Sequence, residues 1–137
     1  MTNNASAVLL SSHYVLLVVT PSGNLSLPGG GVKPGEKGFD AMSREWREET
    51  GMHRPTKDQA DLSNKFVRVH RNGTTTAIYY GQTKKHYTWY TFNRDGLLRR
   101  GETIGLVWMK VSDAIRHPLV KSYCKKSLVA MKAAGCI

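Results

Sequence analysis

Between Gly30 and Met52 the chain reads Gly-Gly-Val-Lys-Pro-Gly-Glu, then seven residues, then Arg-Glu-Trp-Arg-Glu-Glu-Thr-Gly-Met. Gly29, Gly30, Gly31 and Gly35, with Pro28 and Pro34, are expected to exclude regular structure and to permit close backbone approach. A helix of roughly four turns is predicted from about Lys37 to Thr50, with Gly51 as its stop. Glu45, Glu48 and Glu49 are spaced i, i+3, i+4 and share one face of it, while Phe39, Met42 and Trp46 fall on a neighbouring face. A Glu-rich helix is most often a solvated surface with pairs to Arg or Lys. Three carboxylates on one face repel, and the arrangement is reasonable when something positive sits among them. All-oxygen ligands favour a hard divalent cation, Mg²⁺ or Mn²⁺.

The pattern G-x5-E-x7-R-E-U-x-E-E-x-G-U, with U apolar, is filled at every fixed position by Gly30, Glu36, Arg44, Glu45, Trp46, Glu48, Glu49, Gly51 and Met52. In this the segment resembles the signature of the Nudix hydrolase superfamily. The resemblance implies Mg²⁺ or Mn²⁺ held chiefly by Glu48 and Glu49, with Glu45 and the Gly30 carbonyl contributing and Arg44 orienting the carboxylates. It also implies cleavage of a diphosphate at phosphorus. The family draws its base from this helix or from a loop outside it, which leaves Glu45 and Glu102 as alternatives. The stretch Gly101-Glu102-Thr103-Ile104-Gly105-Leu106-Val107 is similar to a segment bearing an extra metal-proximal glutamate in MutT-type nucleotide hydrolases.

Elsewhere the sequence alternates strands and turns. Ala7 to Leu10 and Tyr14 to Val19 read as strands joined at Ser12-His13, with a further turn at Pro21 to Asn24 before Leu25 to Leu27. Arg54 to Ser63 reads as a polar loop, and Lys65 to His70 with Thr74 to Gly81 as a hairpin turning at Asn72-Gly73. Tyr87 to Phe92 and Ile104 to Met109 supply further strands, and a terminal helix is predicted over Lys121 to Ala134 after Pro118. The expected fold is therefore α+β: a Nudix-type sandwich, its mixed sheet between the signature helix and the C-terminal helix. A length of 137 residues with 40% apolar content suits one domain over 1–137, the signature occupying 30–52.

A formal charge of +10 is notable because four of the ten acids, Glu36, Glu45, Glu48 and Glu49, belong to the signature, so the remaining surface is more basic still. Such a field gathers polyanions, whether phosphate esters or RNA. Lys33, Lys37 and Arg68 are the favoured substrate-binding residues, ahead of Arg71, Lys84, Lys85 and Arg99-Arg100. Lys121, Lys125, Lys126 and Lys132 suit a solvent face of the terminal helix or an RNA-binding stripe. Among Tyr79, Tyr80, Tyr87, Trp89, Tyr90 and Phe92, most suit a core and one or two a base-stacking platform. Cys124 and Cys136 lack metal-ligand spacing and are expected as free thiols, and no leader or membrane segment stands out, which points to the cytoplasm or nucleus. A homodimer is compatible with the sequence.

The leading expectation is a Mg²⁺-dependent diphosphatase acting on a nucleoside triphosphate, a dinucleoside polyphosphate or a capped RNA. A diphosphoinositol polyphosphate phosphohydrolase is the second, suggested by Pro28-Gly29-Gly30-Gly31 and its neighbouring lysines. The third is a noncatalytic nucleotide- or RNA-binding module on the same fold, against which the intact Glu45, Glu48 and Glu49 set speaks.

Overall fold

Along β1 (Asn4–Ser11) successive side chains alternate between two apolar layers, Ala5, Ala7 and Leu9 entering one and Val8 and Leu10 the other. The same holds in β2 (Tyr14–Val19), where Leu16 and Val18 oppose Val15 and Leu17. Strands covered on both faces have no solvent side to keep polar, which is why Ala7–Leu10 of β1 and Val15–Val19 of β2 are unbroken apolar runs in sequence. The computed structural model describes residues 2–51, 53–84 and 105–137. Expectations for Lys85, Tyr87 to Phe92, Arg99-Arg100, Glu102 and Ile104 fall outside them.

The sheet is completed by β3 (Leu25–Ser26), β4 (Gly29–Gly31), β5 (Asn64–Val69), β6 (Thr75–Gln82) and β7 (Gly105–Lys110). Its order is β3-β2-β1-β6-β5, with β7 beside β2 and β4 beside the first half of β1. Among the described strands only the β1–β6 ladder is parallel, running from Asn4 opposite Thr76 to Leu10 opposite Gln82, so the sheet is mixed. Helix α1 (Gly38–Thr50) covers one face through the buried Ala41, Met42 and Trp46. On the other face lies α3 (Ser122–Ala133), burying Cys124, Leu128 and Met131. The α+β sandwich expected from the sequence is the one observed. No described helix is long and apolar enough to cross a membrane.

Local chemistry sets several boundaries. Helix α1 ends where Gly51, left-handed at φ 73°, donates its N–H to the Arg47 carbonyl at 2.8 Å. The β5–β6 hairpin turns through Arg71-Asn72-Gly73: Gly73 donates to His70 O at 2.9 Å and His70 donates to Thr74 O at 2.8 Å.

Three features depart from the sequence reading. Gly29–Gly31 was expected to be irregular and instead forms β4, paired with Asn4 to Ser6. A Cβ on Gly29 would strike the Ala5 carbonyl and Ser6, so the missing side chain here allows the strand to close on β1. A short helix α2 (Val111–Ala114), with Ala114 buried, was not anticipated. The segment from Arg54 to Ser63 is not uniformly polar: it buries Ala60 and Leu62 in the α1-side core. That segment lies so close over β6 that a Cβ on Gly81 would collide with the Asp61 carbonyl. Gly81→Ala is therefore expected to destabilise the fold by about 1–3 kcal/mol through overpacking, measured as a lowered urea midpoint. An unchanged midpoint would show that the segment over β6 yields freely.

Candidate active site

The Arg44 side chain, 22% exposed, leaves the middle of α1 and reaches back over the loop that precedes it. Its guanidinium meets Glu36 as a two-pronged pair, Nε to Oε2 at 3.0 Å and Nη2 to Oε1 at 3.1 Å. Nη1 donates to Glu45 at 2.8 Å and to Glu48 at 3.3 Å, and Nη2 also donates to the Gly31 carbonyl at 2.9 Å. A planar five-donor fork fits this set, and a lysine could not. The Arg44 hydrogen bonds, followed by the Lys33 backbone N–H at 3.0 Å, hold the Glu36 carboxyl at about 2. In turn Glu36, then Glu45 and Glu48, push the Arg44 guanidinium further up.

The three helix glutamates share a face, and their carboxylates have different engagements. Glu45 lies against β4, where a Cβ on Gly30 would come within 2.6 Å of its Oε2. Glu49 instead accepts the Gly29 N–H at 2.8 Å. The positive group predicted among these acids is, for Glu45 and Glu48, supplied by Arg44 itself. Among the described residues no three His, Cys, Asp or Glu side chains converge closely enough to hold one ion. The donor chemistry still fits a hard cation, since Glu45, Glu48, Glu49 and the Gly30 carbonyl offer only oxygen.

Gly30 also lines an open cleft of about 950 Å³ on the α3 face of the sheet. Its other walls include Asn4 and Ser6 of β1, Thr76 of β6, Arg68 of β5, the Arg71-Asn72 turn, and Tyr123 and Lys126 of α3. Arg68 is thus in the cleft, with Nη1 donating to the Tyr123 carbonyl at 2.9 Å and to Ser127 Oγ at 3.0 Å. Lys33 and Lys37 are exposed beside α1 and do not line it. Tyr123, whose place in the cleft was not foreseen, is 46% exposed overall, yet its hydroxyl packs 3.2 Å from Ser26 Oγ. Desolvation there pushes the phenol up to about 12. The Leu27 N–H donates to Cys124 Sγ at 3.3 Å, so two successive side chains of α3 brace the approach to β4. Both cysteines are free, and burial raises the Cys124 thiol. Glu102 lies outside the described residues.

Glu36 has a folded-state value below its ordinary 4.5, so its contribution to stability is complete above pH 4.5 and is lost as pH falls through about 2. The stability difference between the wild type and Glu36→Gln, read by denaturant titration, is expected to shrink across that window. A difference that stayed constant with pH would mean that the Arg44–Glu36 pair contributes nothing.

Similarity to known proteins bears on this geometry. The NUDIX domain family matches residues 1–128. Among solved structures, a NUDIX hydrolase from Nitrosomonas europaea is 26% identical, with a TM-score of 0.62 over 98% of this chain and 90% of that one. A mutT/nudix family protein from Listeria innocua superposes with a TM-score of 0.63 at 16% identity, covering 96% and 91% of the two chains. An Ap4A hydrolase from C. elegans, in a binary complex, gives 0.60 at 19% identity, covering 96% and 98%. No curated protein matches the sequence. Because the family match takes in the signature helix and every described strand of the sheet, the chain belongs to the Nudix hydrolase superfamily, enzymes that act on phosphoanhydride-containing substrates.

Proposed function

We propose that the protein is a Mg²⁺- or Mn²⁺-dependent diphosphatase that cleaves a phosphoanhydride bond in a nucleotide-type substrate. The observation that carries this reading is the position of Gly30, which touches Glu45 on one side and lines the cleft on the other. A substrate in that cleft has its diphosphate beside the oxygen donors Glu45, Glu48 and Glu49. When bound there, a divalent ion neutralises charge on the bridging oxygens and makes a water more nucleophilic.

In this reading Glu48 and Glu49 are the principal ligands, joined by Glu45 and the Gly30 carbonyl. Arg44 is a positioning residue: through Glu36 and the Gly31 carbonyl it fixes the glycine strand, and through Glu45 and Glu48 it aims the carboxylates. Arg68 stiffens the cleft wall against α3 and presents positive charge to the substrate. The base is Glu45 or Glu102; a base must reach the attacking water within a hydrogen bond. Candidate substrates are nucleoside triphosphates, dinucleoside polyphosphates and capped RNA. A diphosphoinositol polyphosphate is the second reading, favoured by the polar, cationic lining of the cleft. Residues 1–137 are proposed to act as one domain, and the two free thiols support a reducing compartment, cytoplasm or nucleus.

Glu48→Gln is expected to lower kcat at least about a hundredfold on the best substrate of a phosphate-release panel, and chelation of divalent metal should silence the wild type until Mg²⁺ is restored. Unaltered rates in the variant, with RNA binding that weakens steeply in salt, would favour a noncatalytic module instead. Glu102→Gln is expected to reduce kcat by about 10²-fold or more with little change in KM; equal turnover would assign the base to Glu45.

A further inference from the structure

The cleft has two chemically different ends, and strands of the sheet separate them. Gly31 of β4 is paired with Asn4 of β1, Asn4 with Thr76 of β6, and Thr76 with Arg68 of β5, so one row of residues crosses four strands in register. Three strand spacings separate its ends, about 14 Å. At the β4 end stand Gly30 and the Glu45 carboxylate. The β5 end is basic: Arg68 on the strand, His70 just past its end, Arg71 in the following turn, and Lys126 on α3 one turn beyond Tyr123.

These basic side chains are not equivalent. Arg68 spends Nη1 on the Tyr123 carbonyl and Ser127, and His70 Nε2 is bonded to Thr76 Oγ1 at 2.6 Å. Arg71 and Lys126 are exposed and form no ion pair with a described residue. Exposed basic side chains are commonly just solvated. These two differ in lining the same cleft as Gly30, on walls contributed by separate elements.

We propose that the substrate carries a second phosphate, across the cleft from the diphosphate that meets the signature acids, and that Arg71 and Lys126 receive it. This rests on the diphosphatase reading above and narrows its substrate class to molecules with two separated phosphate centres. A planar guanidinium and an ammonium contributed by separate elements suit phosphate oxygens of varied orientation. A substrate ending in an unphosphorylated group leaves that end of the cleft unused.

Linear inorganic polyphosphates of increasing length provide the ruler, used as competitive inhibitors of nucleoside triphosphate hydrolysis with Mg²⁺ present. Inhibition should strengthen abruptly, by about tenfold, once the chain is long enough to span the cleft. The doubly substituted Arg71→Gln, Lys126→Gln protein should lose that step. Lys65→Gln, which removes one charge from the opposite face of β5, should keep it and so controls for net charge. A smooth dependence on length, or a step that survives in the double variant, overturns the proposal. Should no phosphoanhydride be hydrolysed at all, the diphosphatase reading fails on its own, and the same series titrated by calorimetry still shows whether the two ends act together. To separate sources of the distant phosphate, kcat/KM is compared for a nucleoside triphosphate, the same nucleotide extended by one 3′-linked nucleotide, and a diphosphoinositol polyphosphate. At least one extended compound should exceed the plain triphosphate, and the excess should vanish in the double variant; equal values for all three overturn the proposal.

Discussion

The Arg44 guanidinium joins three stretches of chain at a single planar group. Glu36 belongs to the loop, Gly31 to an edge of the sheet, and Glu45 and Glu48 to the helix, and all four accept hydrogen bonds from one planar group. Carboxylates held on a single helix face would repel each other, and their shared cation lowers that cost while fixing their direction. The loop–helix junction is therefore electrostatic where the rest of the structure is hydrophobic. Such an assembly must form before any metal or substrate can be presented with a defined set of oxygens.

Position along the sheet then gives the assembly a place to act. Beneath α3 the sheet is apolar, with Val8, Ile78 and partly buried Phe66 across three strands. One step further along, the same strands present Ser6, Asn4, Thr76 and Arg68. The change occurs where α3 begins, so the helix start marks the boundary between core and cleft. Tyr123 and Cys124 lie at that boundary and bond to Ser26 and the Leu27 N–H, which links the cleft wall to the approach of the glycine strand. A chain with a large positive charge thus directs part of it at a surface that also borders the signature acids at Gly30.

Much of this was legible in the sequence. Apolar runs of β-branched and leucine residues in β1 and β2 require burial on two sides, and Trp46 and Met42 at helical spacing announce the face that supplies one cover. The spacing of Arg44, Glu45, Glu48 and Glu49 is local, and local geometry on a helix follows from 3.6 residues per turn. Gly51 as a helix stop and Gly73 in a hairpin turn are also local, since each needs a backbone angle that few residues adopt.

What only the tertiary structure decided concerns pairs distant in the chain. No rule of spacing reveals that Glu49 would bond to Gly29 while Glu45 and Glu48 shared Arg44, because side-chain torsions respond to the neighbours that packing brings. Nor could glycines alone announce a strand: β4 exists because β1 offers it an unpaired edge. Lys33 is near the signature in sequence and outside the cleft, whereas Lys126 is distant in sequence and within it. The chain by itself settled the long helices, the apolar strands and the acid-bearing turn, since those depend on short-range periodicity; the folded sheet settled β4 and which charges face one another, since those depend on strand order and register.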